Sequence, residues 1–250
     1  MAARAHWWVR VVDPIAAVGE VVERVPGEII PAWRRVNDGE PVAPVVAALS
    51  VAVVLQAVLP GRVVHPVRWL FPAAAVALLI VIVTAHGTRI GEHRSPALRA
   101  ATLLLLVVLT GANIAAGARL VIDLLQSEGL REPADLLLTG AAIWLTNVII
   151  FGFWYWMFDR GGPVARAHAA PGYYPAFLFP QMQLENEMAR PEWRPMFFDY
   201  LYTSFTNATA FSPTDVMPLA RWAKLTMMLQ SAVALLLAIL VIARAVNVLK

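Results

Sequence analysis

Residues 136–157 carry no charged side chain, and a run of about 20 predominantly apolar residues is what a helix needs to cross a hydrocarbon core roughly 30 Å thick. Further apolar stretches at 41–59, 69–85, 100–118 and 225–243 approach the same length, with charges and Pro-Gly pairs gathered between them. The chain of 250 residues is 59% hydrophobic and only 15% charged, whereas a soluble domain has close to a quarter of its residues charged. The fold class expected is therefore an all-α integral membrane protein, with about five transmembrane helices and the lipid bilayer as solvent.

The absence of cysteine removes disulfides, thiol catalysis and thiolate metal sites together. The net charge of +3 comes from scarce acids, not from a basic cluster. Arginines in the loops between apolar stretches fit membrane orientation better than nucleic-acid binding.

The first forty residues lack the unbroken apolar core of a signal peptide and are expected to be retained. Asp13 and Pro14 read as a helix start, Val18, Val21, Val22 and Val25 share a face, and Pro26-Gly27 ends the pattern. This segment, 1–40, is an amphipathic element for the membrane surface or the bundle, with Trp7, Trp8 and Trp33 as interfacial anchors. A partner-binding arm is the other reading.

Residues 41–125 form a three-helix membrane region. Its third span carries a small-residue patch of Gly111, Ala112, Ala115, Ala116 and Gly117 beside Asn113, which suits close helix contact. Arg119 and Asp123 stand at i,i+4 near the end of the span, where they can pair or where Arg119 can snorkel to the interface. His86 and His93 do not share a helical face and read as loop residues. The span at 136–157 contains Asn147 and ends in Trp154, Tyr155 and Trp156, the composition of an interfacial aromatic belt. A loop over 158–197 follows, rich in Pro and Gly, in which Glu185 and Glu187 read as solvated acids.

The stretch from Asp199 to Pro218, DYLYTSFTNATAFSPTDVMP, is too polar for a comfortable span and lies between two apolar ones. Asp199 reads as the N-cap of a short helix reaching Thr209, with Tyr202, Phe205 and Thr206 on one face and Ser204, Asn207 and Thr209 supplying polar groups. Ser212-Pro213 breaks it. Non-helical backbone at membrane depth is tolerated only where protein or a water-filled cavity satisfies it, so a re-entrant helix-turn segment over 199–218 is expected.

Asp199, Leu201, Tyr202, Ser204, Phe205, Thr209, Asp215 and Pro218 stand in register with the pore loop of potassium-channel-like proteins. That loop runs D-x-L-Y-x-S-F-x-x-x-T into the filter T-V-G-Y-G-D and a nearby proline, and the segment resembles it. The resemblance covers roughly the last half of the chain. It implies a pore-like module over 134–250, with span 136–157, loop 158–197, re-entrant segment 199–218 and span 225–243. It further implies a homo-oligomer, a tetramer if channel-like, and a monovalent cation as the permeant species. Along more of its length the chain is also similar to bacterial multi-pass membrane proteins of no established function.

The filter half departs from the family. Ala210, Phe211, Ser212, Pro213 and Thr214 stand where the family has Thr-Val-Gly-Tyr-Gly. Glycines there let successive carbonyls turn toward the ion, and Ser212 and Thr214 lack that freedom, while Pro213 fixes its own backbone angle. A potassium-selective carbonyl stack is not expected; a wider passage lined by Thr209, Ser212, Thr214 and Asp215, or a closed plug, remains open. With five spans, most arginines fall on the side carrying Arg89, Arg99, Arg160, Arg166, Arg194 and Arg221, so that side is expected in the cytoplasm and the segment would enter from there. Channel pore loops enter from outside.

No metal-ligand helix, serine nucleophile elbow or paired intramembrane carboxylates appear, so the chain reads as a non-enzyme without a cofactor or metal. The cell membrane is the expected location. The two functional readings are an ion-channel-like membrane protein, weakly selective or non-potassium, and a non-conducting structural, sensory or accessory protein.

Overall fold

The computed structural model describes residues 31–59, 70–86, 89–90, 95–126, 133–170, 172, 174–183, 190, 192–209 and 216–248. The expected helix over 14–25, the loop residue His93, and Glu185 and Glu187 lie outside them. The described chain is mainly helical: α1 Val42–Val58, α2 Leu70–His86, α3 Pro96–Gln126, α4 Pro133–Phe158, α5 Pro163–Ala167, α6 Phe197–Thr209 and α7 Arg221–Val248. Four two-residue strands, β1 Glu40–Pro41, β2 Arg89–Ile90, β3 Phe177–Leu178 and β4 Met217–Pro218, pair antiparallel as β1 with β2 and β3 with β4. Among the described residues, three helical stretches are long and apolar enough to cross a membrane, Pro96–Leu124, Ala134–Gly161 and Arg221–Ala243. α1, with 17 residues, reaches about 25 Å.

Residue contacts give the helix directions. Glu40, just before α1, bonds Trp156 near the end of α4, while Leu59, just after α1, packs with Leu136 near the start of α4. Thr110 of α3 meets Trp154, and Gly117 lies beside Ile143. Trp222 of α7 packs on Phe158, and Val241 crosses Gly140. α1, α3 and α7 thus all run antiparallel to α4, and the β1–β2 pairing returns the end of α2 to the start of α1. One end of the bundle, marked by Asp159, gathers the starts of α1, α3 and α7 with the end of α4.

Hydrophobic burial is arranged around α4. Ile149, Ile150, Phe153, Tyr155 and Trp156 share a core with Val45, Leu49, Leu105, Leu109, Phe177, Tyr200 and Met227. The outward faces stay aliphatic: Leu104, Val107 and Ile114 on α3, and Leu225, Met228, Leu229, Leu236 and Ile239 on α7, are exposed. A water-soluble bundle would place polar side chains there; these faces suit lipid.

Several expectations change. Tyr155 and Trp156 form no interfacial belt, since both are buried inside the bundle. Of the small-residue patch, Ala112, Ala116 and Gly117 face in, whereas Gly111 and Ala115 face out, because the helical period places the latter two on the opposite side. Arg119 and Asp123 make no ion pair among the described residues. Asn113 instead accepts a hydrogen bond from Gln56 of α1 at 3.1 Å.

Close helix contact is made elsewhere. A Cβ on Gly152 would sit 3.0 Å from the backbone Cα of Leu201 in α6, so only glycine lets α6 lie this near α4. Gly152→Ala should push the two helices apart and cost about 1–3 kcal/mol. Thermal unfolding in detergent checks this, with Gly111→Ala, whose added methyl meets nothing within 4 Å, as the control that does not lower the melting temperature.

Candidate functional site

α6 starts three residues earlier than its sequence suggests. Asp199 is not the N-cap: its Oδ2 accepts from the backbone N–H of Met196 at 2.8 Å, so it sits inside the first turn and reaches back. This is the acidic half of a capping box, with the carboxylate at the third helical position satisfying the capping residue's own N–H. The acid near the positive end of the helix also favours the macrodipole.

The inward face of α6 is spent on its neighbours. Ser204, fully buried, donates to the Val148 carbonyl at 2.6 Å and accepts from Gln230 Nε2 at 2.7 Å. Asn207 Nδ2 donates to the Met227 carbonyl and to Gln230 Oε1, both at 2.9 Å. Tyr155 donates to the same Gln230 oxygen at 2.6 Å, and Ser231 donates to the Asn207 carbonyl at 3.0 Å. Gln230 therefore ties α4, α6 and α7 together through both ends of its amide, which fixes the amide's orientation. Such a network is stiff only when every member is satisfied.

The other predicted pore-helix residues fall elsewhere. Tyr202 and Phe205 are about half exposed on the outer face, Phe205 meeting Trp144 edge-on at 5.8 Å. Thr209 bonds its own helix at the Thr206 carbonyl, 2.8 Å away. Ala210, Phe211, Ser212, Pro213, Thr214 and Asp215 lie outside the described residues. The chain on either side of them is placed. At the start of α6, Tyr200 donates to Asp159 Oδ2 at 2.6 Å, while Ser204 and Ala208 lie deeper, against Val148. By Met217 the chain pairs with Leu178, and the Leu219 N–H bonds the Ala176 carbonyl at 2.8 Å. Ala176 in turn donates to Asp159 Oδ1 at 2.7 Å. Both limbs of the segment are thus tied to the Asp159 end.

A second constellation, which sequence reasoning missed, occupies that end. α4 stops where Arg160 takes a left-handed conformation (φ 49°) and Gly162 follows at φ 95°, where a Cβ would lie 2.9 Å from the Met157 carbonyl. Pro163 then opens α5. The turn folds Arg166 back under the helix, so that its Nη1 donates to the carbonyls of Trp156 at 2.7 Å and Asp159 at 3.0 Å. These are the carbonyls that a helix end leaves without partners.

Glu40 meets the same arginine: Oε1 accepts from Arg166 Nη2 at 2.9 Å, and Oε2 accepts from Trp156 Nε1 at 2.8 Å and the Phe197 N–H at 2.9 Å. Asp159 accepts from Tyr200, Ala176 and Arg160, the last at 3.1 Å. Arg166 also lies over the rings of Tyr200, 5.1 Å away, and Trp156, 5.8 Å away. Burial opposes the arginine's charge, but Tyr200, Glu40 and Asp159 more than offset it and hold its pKa above the ordinary value.

Arg160 and Arg166 read in the sequence as orientation charges, and nothing in it singles out Glu40 or Asp159. The signal that could have found them is an acid at the edge of two uncharged runs, each with an arginine that no surface role requires. Among the described residues no group of three metal-ligating side chains gathers. The cluster can hold elements together and leave cationic donors at its rim; the Gln230 network can hold α6 in place. Comparison with family models, with curated proteins and with solved structures finds no match.

Proposed function

We propose that the protein is a multi-pass protein of the cell membrane with five spans, in which residues 134–250 form an ion-channel-like module around a re-entrant segment. The observation that carries this reading is that both limbs of that segment attach to the Asp159 end, α6 through Tyr200 and the return through Met217 and Leu219. A span, a half-inserted helix, a return and a second span are the order of a pore module. Non-helical backbone at membrane depth needs protein or a water-filled cavity to satisfy it, and a re-entrant segment between two spans meets that need. The Asp159 end carries Arg34, Arg89, Arg99, Arg194 and Arg221, and the positive-inside rule puts it in the cytoplasm. Passage of a monovalent cation would run along an oligomer axis, without potassium selectivity, because Ser212 to Thr214 cannot reproduce the glycine filter.

A second reading is favoured by one observation. Ser204 and Asn207, the polar groups a pore helix could offer, are consumed within the chain by Val148, Met227 and Gln230. That suits a non-conducting structural, sensory or accessory protein.

One proteoliposome experiment tests both. Cysteines introduced as Glu187→Cys and Lys250→Cys should label from opposite sides of the membrane, and labelling from the same side would mean that the segment crosses completely. The same vesicles should pass a monovalent cation in a flux that Asp215→Asn changes. Opposite-side labelling with no flux at any voltage, pH or ion would leave the second reading standing.

A further inference from the structure

Beside the buried cluster are two cavities. One, of about 340 Å³, is walled by Trp33, Arg34, Arg160, Arg166 and Tyr174. The other, of about 360 Å³, is walled mainly by apolar groups, among them Val45, Leu49, Leu98, Trp156 and Met157. Ala165 and Ala170 line both. A cationic space and an apolar space therefore share a wall at the end of the bundle where lipid meets water.

The charge of the first space follows from how the cluster is wired. Glu40 and Asp159 spend both carboxylate oxygens on donors inside the protein, including Phe197, Trp156, Ala176 and Tyr200. The guanidinium groups are less fully used. Arg166, which is 8% exposed, has a buried Nε–H without a hydrogen-bond partner. Arg160 gives its Nε to Asp159 and Nη1 to the Trp33 carbonyl at 2.9 Å, which is part of the five N–H groups an arginine carries. Arg34 adds an exposed third guanidinium, stacked on Trp33 at 4.5 Å. An unpaired buried donor is costly, and phosphate is the acceptor that arginine forks match best.

We propose that this pair of cavities binds an anionic phospholipid, its phosphate held by Arg34, Arg160 and Arg166 and an acyl chain lying in the apolar cavity past Ala165 and Ala170. The two-part shape selects a lipid over a free anion, since inorganic phosphate leaves the apolar half unused.

The test uses the full chain in non-ionic detergent, with retention of dioleoylphosphatidylglycerol or dioleoylphosphatidylcholine read by native mass spectrometry. The anionic lipid should be retained about tenfold better than the zwitterionic one. Arg34→Glu, on an exposed side chain that folding does not need, should abolish the preference. Lys224→Glu, an exposed charge reversal at the same end but outside the cavity, should leave it in place. Ala170→Phe, which fills the shared wall, should also abolish it. Equal loss in Lys224→Glu, no lipid preference in the unaltered protein, or inorganic phosphate displacing the lipid at comparable concentration would each overturn the assignment.

Discussion

Replacing Glu40 with alanine is expected to cost about 3–5 kcal/mol, the range for removing one partner of a buried ion pair. The side chain is 5% exposed and accepts three hydrogen bonds, from Arg166, Trp156 and Phe197. Its removal leaves the Arg166 charge with less compensation and two N–H groups without acceptors. Against a typical net stability of about 5–15 kcal/mol, that loss is large. Glu40→Gln should recover little, because all three neighbours are donors and an amide brings two donors of its own. The paired change Glu40→Leu with Arg166→Met should recover more than either single change, since an apolar pair has no charge to strand. Thermal unfolding and the monodisperse fraction in detergent are the measurements. A Glu40→Ala protein melting within about 0.5 kcal/mol of the unaltered one would show that the pair is not a structural joint.

Gln230→Leu is expected to be the next most damaging change, at about 2–4 kcal/mol. The residue is fully buried and serves Tyr155, Asn207 and Ser204 at once. Polar bonds between membrane helices average about 0.6 kcal/mol and reach about 1.7, so the sum matters, together with the orphaned Tyr155 hydroxyl. The effect should also be local. In a Ser204→Cys background the thiol should be unreactive, and adding Gln230→Leu should make it accessible as α6 loosens from α4 and α7. A double-mutant cycle with Asn207→Leu should show strong non-additivity, because both changes break the same bond. Additive losses with an unreactive thiol would mean that packing alone holds α6.

The helical layout was legible because lipid imposes a simple rule: a stretch that crosses must be apolar and uncharged. The reading of spans at 41–59, 69–85 and 136–157 lies within a few residues of α1, α2 and α4. α3 and α7 run beyond their apolar centres, since Pro96 and Arg221 open helices whose first turns project past the apolar part of the span. The start of α6 was misjudged by three residues because Asp199 fits both the cap and the third helical position. The cluster at Asp159 was not legible. Glu40, Arg166 and Phe197 are far apart in sequence and meet only when α1, α5 and α6 converge. Tyr155 and Trp156 were misread for a related reason: an aromatic run near a span end looks the same whether its tips meet headgroups or buried partners. What distinguishes the two is Gln230 and Glu40, neither of them nearby in the chain.

The Gln230 network also bears on biosynthesis. α6 leaves the ribosome after α4, so the Val148 carbonyl is already waiting for Ser204, but Gln230 and the Met227 carbonyl belong to α7, which is made later. Until α7 arrives, the amide of Asn207 and the hydroxyl of Tyr155 lack their shared partner Gln230. The nascent protein therefore passes through a stage at which α6 has its bonds to α4 and Asp159 but lacks those to α7. α7 acts as the latch, closing the polar contacts of α6 that α4 alone does not supply.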